Sequence, residues 1–144
     1  MRFEMGPEFK PMAGAQGWQV SNPPVLSAAP LLASLELFRR AGLTRLREKS
    51  IALTGYLQRL LETRLPGAVD IITPSPASER GCQLSLRIAR PPAAAKRCHE
   101  LLAAAGVVAD WREPDVLRVA PIPLYNSYRD VFAAVDALSQ AVRR

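Results

Sequence analysis

The chain has 144 residues, enough for one domain, or one domain with an arm, and for a buried core. Apolar residues make up 49% of it, which argues against disorder, while its apolar runs are short and broken by proline or charge, which excludes a membrane-spanning helix. A net charge of +6 would suit nucleic acid, but the basic residues are scattered, so neither nucleic acid nor a membrane is expected as a partner.

Residues 1–26 are expected to form an extended arm, punctuated by Pro7, Pro11, Gly14, Gly17, Pro23 and Pro24. Its first residues carry no apolar stretch of the kind a secretory signal needs, so a cytoplasmic location is expected. Ser27 with Pro30 predicts a helix start, a capping side chain followed by a proline in the first turn. Leu31, Leu32, Leu35 and Phe38 give that helix an apolar face, and Ala41-Gly42 ends or kinks it. The pattern resumes through Leu43, Leu46, Ser50, Leu53, Leu57, Leu60 and Leu61, with Thr44 as a possible cap, and Arg64-Leu65-Pro66-Gly67 stops it. Residues 27–65 are thus expected as one long bent helix of roughly ten turns. A helix of that length suits a span between two bodies.

Residues 66–144 predict a compact α+β unit. Val69 to Thr73 is expected as a short strand, followed by a turn-rich loop through Glu79. Gln83 to Ile88 alternates polar and apolar, a half-buried strand with Leu84, Leu86 and Ile88 on the core side. Pro91-Pro92 opens a helix that Gly106 closes. Val107–Trp111 and Val116–Val119 predict two more strands. Ser127 and Asp130 begin a last helix, whose stripe is Val131, Val135, Leu138 and Val142 and whose end carries Arg143 and Arg144. The expected fold is a small, mostly antiparallel sheet with helices on one face, preceded by the long helix and the arm.

Two proline-stiffened stretches stand out from this amphipathic background. Ser21-Asn22-Pro23-Pro24 holds an asparagine that the following proline keeps extended, so its amide is aimed at a fixed target or, alternatively, forms a structural Asx-turn. Arg118, in Leu117-Arg118-Val119-Ala120-Pro121-Ile122-Pro123-Leu124-Tyr125-Asn126-Ser127, is a charge in an apolar strand. It calls for a ligand carboxylate, for an ion pair with Asp110 or Glu113, or for a solvent-facing position. Gly81 suggests a backbone need, Cys82 a small buried side chain, and His99, the single histidine, a surface position in mid-helix. Cys82 and Cys98 have no metal-ligand spacing, and no Ser-His-Asp set or glycine-rich phosphate loop occurs. The residues alone therefore compose no complete active site, and a non-catalytic α+β amino-acid-binding or protein-interaction module stays open.

Five stretches in collinear order resemble the C-terminal part of kynureninases: Gly17-Trp18-Gln19-Val20-Ser21-Asn22-Pro23-Pro24, Leu53-Thr54-Gly55-Tyr56-Leu57, Ile71-Ile72-Thr73-Pro74-Ser75, Glu79-Arg80-Gly81-Cys82-Gln83-Leu84 and the Arg118–Ser127 run. The resemblance implies the small domain of a homodimeric pyridoxal-phosphate enzyme with the aspartate-aminotransferase fold. Such enzymes hydrolyse L-kynurenine, or 3-hydroxykynurenine, to anthranilate, or 3-hydroxyanthranilate, and L-alanine in tryptophan catabolism. It implies that Arg118 binds the substrate α-carboxylate, that Asn22 lies at the cofactor and substrate site, and that Ser21 lies close to the substrate. It also implies three segments: residues 1–26 as an arm from the large-domain side, 27–65 as an interdomain helix and 66–144 as the small domain. The family's Schiff-base lysine lies in a large domain, and Lys10, Lys49 and Lys96 match no such motif, so no catalytic residue is assigned in this chain and it is expected to be inactive alone.

Overall fold

The computed structural model describes residues 6–19 and 21–143; residues 1–5 of the arm, Val20 in the first motif and Arg144 at the last helix end lie outside them. The chain divides into two compact units, Met1–Arg40 and Ala41–Arg144.

In the first unit a 3-10 turn, Ala15–Trp18, follows a proline-containing stretch of bends and irregular backbone. Gly17 belongs there because a Cβ would stand 2.1 Å from the Met12 carbonyl oxygen, a separation no side chain tolerates. Helix α1, Val25–Ala41, begins before Ser27. The Pro24 carbonyl accepts the amides of Ser27 at 3.1 Å and Ala28 at 2.9 Å, so the proline pair starts the helix and Ser27 sits inside its first turn. Pro30 consequently lies in the helix interior, where it offers no amide to the carbonyl four residues back. None of the described residues of α1 is buried; Leu31, Leu32 and Leu35 are 57%, 71% and 54% exposed.

Near the start of the second unit stands Gly42, whose φ of 83° and ψ of 120° suit glycine and separate α1 from α2, Leu43–Arg64. Gly42 rather than Thr44 is the N-cap, and its carbonyl takes the Leu46 amide at 3.1 Å. Strands β1 (Val69–Ile71), β2 (Leu84–Ile88), β3 (Asp110–Arg112) and β4 (Val116–Val119) form one sheet in the order β1-β2-β4-β3, with every neighbouring pair antiparallel. Helix α3, Pro92–Ala104, starts on its proline and is followed by Gly106 at φ 79°. Helix α4, Tyr128–Arg143, follows β4.

One cluster forms the core of this unit. It joins Leu53, Leu57 and Leu61 of α2 and Leu84, Leu86 and Ile88 of β2 to Cys98 and Leu102 of α3, Leu117 of β4, and Val131, Val135 and Leu138 of α4. Residues at spacings of three and four on the helices meet residues at spacing two on the strands, so the three helices cover one sheet face. The fold is therefore α+β with a wholly antiparallel, open, four-stranded sheet. The opposite sheet face is polar apart from Val116, carrying Asp70, Ser85, Arg87, Asp110, Arg112 and Arg118 in register. Among the described residues no helix is long and apolar enough to cross a membrane.

Candidate functional site

Period-two alternation along β4 fixes where Arg118 points. Leu117 is fully buried on the helix side, so Arg118 stands on the polar face, opposite Ser85 of β2 on one side and Asp110 of β3 on the other. Its Nε donates to Asp110 Oδ2, and its Nη2 forms an ion pair with the same oxygen. Arg112 Nε donates to that oxygen as well, at 3.0 Å. The Arg118 guanidinium beside Asp110 is the main cause that holds this carboxyl below the usual carboxylate range, with Arg112 adding to it. Of the partners weighed from sequence, Asp110 is the one engaged, while Glu113 lies 3.7 Å from Lys96.

Beyond β4 the chain turns along the edge of a groove of about 540 Å³, lined by Leu57, Val107, Val119, Pro121, Tyr125 and Asn126 among others. Asn126 builds this turn from both sides, its Oδ1 accepting the Ile122 amide at 2.8 Å and its own backbone amide donating to the Ile122 carbonyl at 2.8 Å. Lys49 of α2 clamps the turn by donating to the Pro123 carbonyl at 2.7 Å. Tyr125 is left 74% exposed, and Tyr128 meets Tyr56 edge to face with ring centroids 5.4 Å apart. The proline-rich run is thus a rigid strap that begins at Arg118 and ends in the cap of α4.

Ser21 and Asn22 belong to the other unit, both exposed, in the irregular stretch directly ahead of α1. Thr54, within the Leu53–Leu57 run, is 1% exposed and donates to the Ser50 carbonyl at 2.8 Å, so that motif is a packing element of α2. Arg80 donates to Gln58 Oε1 at 2.6 Å and fastens the Pro74–Glu79 loop to α2. Gly81 has no positive φ, and a Cβ there would meet no atom within 4 Å, so the backbone need expected at this position is not found. His99 is half-buried rather than a plain surface residue: its ring stacks on Trp111 with centroids 5.9 Å apart, and Nε2 lies 3.1 Å from the Ala109 carbonyl oxygen. It ties α3 to β3. Cys82 is partly exposed, and Cys98 is buried. What sequence reasoning missed is Arg112, the second arginine on Asp110; its place two residues along the same strand face was the available signal.

The five stretches therefore resolve into a core motif, loop fasteners, an arginine on an open sheet face and an exposed Ser-Asn pair. The chain is 55% identical over 135 residues to a kynureninase of Xanthomonas euvesicatoria and likewise to one of Stenotrophomonas maltophilia, matches that cover 94% of this chain and 32% of each relative. A kynureninase of Xanthomonas campestris is 53% identical over the same length. The chain spans about a third of the length of these relatives. The family model described as the kynureninase C-terminal domain matches residues 46–138, which run from α2 through the whole sheet into α4, and the chain belongs to that family.

Proposed function

We propose that this chain is the C-terminal small domain of a kynureninase, a hydrolase that uses pyridoxal phosphate to cleave L-kynurenine or its 3-hydroxy analogue, releasing L-alanine and an anthranilate. The observation that carries this reading is the 55% identity across 94% of the chain to proteins of that name. In this reading the enzyme is a cytoplasmic homodimer in the pathway of tryptophan breakdown.

Within it, Arg118 binds the substrate α-carboxylate. A planar guanidinium meets a carboxylate through two parallel hydrogen bonds, which fixes orientation as well as position. Its pairing with the Asp110 carboxylate supports that chemistry, because the guanidinium already holds one carboxylate while its side chain stays 32% exposed. Ser21 and Asn22 supply polar groups near the substrate, and Asn22 also faces the cofactor; their exposure on a proline-stiffened stretch supports that assignment.

The cofactor itself requires an amine for its covalent link and a cradle of donors for its phosphate. The described residues do not bring these together. Lys49 is committed to the Pro123 carbonyl, Lys96 stands beside Glu113, and Lys10 is exposed in the first unit. When bound, the cofactor supplies an electron sink for carbanion chemistry. The groups that hold it belong to a large domain, for which the length of the relatives leaves room, and the present chain serves substrate orientation and is inactive alone.

The test is kinetic. In an enzyme comprising this chain with its large domain, anthranilate release from L-kynurenine is expected, and the 144-residue chain alone should give none. Arg118→Ala in the complete enzyme should raise KM by about tenfold or more, the scale of a lost charge-assisted pair. An unchanged KM would remove the carboxylate assignment, and release of anthranilate by the short chain would overturn the division of labour.

A further inference from the structure

Arg118 is one of three charges in a row. Asp110 lies directly across the β3–β4 ladder from it, and Arg112 follows two residues along on the same face of β3. A single oxygen, Asp110 Oδ2, takes both the Nε and the Nη2 of Arg118 and also the Nε of Arg112. A guanidinium has two edges able to grip a carboxylate with paired bonds, the Nε–Nη2 side and the Nη1–Nη2 end. Asp110 occupies the side edge.

We propose that Asp110 is a positioning residue, which grips the side edge of Arg118 so that the Nη1–Nη2 end is presented to the substrate carboxylate, while Arg112 offsets the charge of Asp110. This rests on the reading of Arg118 as the carboxylate-binding group. Two effects oppose one another. An arginine on an exposed sheet face samples many rotamers, and fixing it in advance removes that cost from binding. Against this, a carboxylate next to the incoming carboxylate repels it. The row Arg112–Asp110–Arg118 keeps a formal excess of one positive charge, so the repulsion is offset and preorganisation prevails. Neither arginine alone with Asp110 would keep that excess. The Asp110 carboxyl, held below its ordinary range by the same two arginines, stays ionised throughout the neutral range.

The experiment compares Asp110→Ala, Asp110→Asn, Asp110→Glu and Arg118→Ala in the complete, cofactor-loaded enzyme, with KM and kcat for L-kynurenine read separately. Asp110→Ala should raise KM about fivefold with kcat changed by less than about twofold, the pattern of lost ground-state orientation. Asp110→Glu should recover most of the loss, and Asp110→Asn, of the same shape, stands in if the alanine variant does not fold. An unchanged or lowered KM in the Asp110 variants, with KM raised by Arg118→Ala, would overturn the positioning role and leave the carboxylate reading intact. A KM unmoved by Arg118→Ala would overturn both.

Discussion

Ser127 and Asp130 cap α4 reciprocally. Asp130 Oδ2 accepts the Ser127 amide at 2.7 Å, and Ser127 Oγ in turn accepts the Asp130 amide at 3.3 Å. The strap that leaves Arg118 is thereby fixed at its far end. Ser127→Ala should destabilise the domain by about 1 kcal/mol, the usual cost of a lost N-cap, measured by urea denaturation. A midpoint equal to that of the parent chain would show that the cap contributes nothing.

Acid should weaken this fold in a defined window. Asp110 is held below its ordinary range chiefly by Arg118, Asp130 by the Ser127 amide and hydroxyl, Asp136 by Arg64, and Glu36 by Arg39. A carboxyl whose value is lowered on folding favours the folded chain while it is ionised. That contribution is complete above the unfolded value, near about pH 4, and is lost as pH falls through the lower folded values. The thermal midpoint should therefore hold steady from neutrality to about pH 5 and fall below about pH 4. A midpoint that rises on acidification would contradict the assigned directions.

Leu86 is 1% exposed at the centre of β2 and belongs to the core cluster under the three helices. Leu86→Ala should cost about 3 kcal/mol, from lost transfer energy and the cavity left behind. Ser85, next in the strand, faces the open side, so Ser85→Ala should change stability far less. Equal losses from the two substitutions would refute the one-sided sheet.

Gly42 holds φ at 83° between α1 and α2, a conformation that an L side chain adopts only under strain. An added Cβ would come no nearer than 3.4 Å to any atom, and that atom belongs to the flexible Arg45 side chain. The cost of Gly42→Ala is therefore conformational, about 1–3 kcal/mol. Calorimetry of the two chains would measure it, and an equal or higher midpoint for the variant would contradict it.

The two thiols should differ in reactivity. Cys98 is 3% exposed, and burial pushes its thiol up, whereas Cys82 is partly exposed. Titration with a disulfide reagent near neutral pH should label Cys82 quickly and Cys98 only on unfolding. Equal rates in the folded chain would show that the α3–α4 packing over Cys98 opens readily.

By itself the sequence determined the local elements whose signals lie within a few residues. Leu84, Leu86 and Ile88 specify the buried face of β2 by alternation, Pro92 and Gly106 bracket α3, and Ser127 with Asp130 starts α4. It also carried the family, through motifs in a fixed order. Tertiary structure alone decided what depends on partners distant along the chain. The same apolar spacing occurs in α1 and α2, yet α2 buries Leu53, Leu57 and Leu61 in the core and none of the described residues of α1 is buried, because periodicity marks a face without saying what covers it. Likewise the sequence offered Arg118 both Asp110 and Glu113. The antiparallel register of β3 against β4 chose Asp110, since pairing across a ladder sets which side chains share a face and which of those stand opposite.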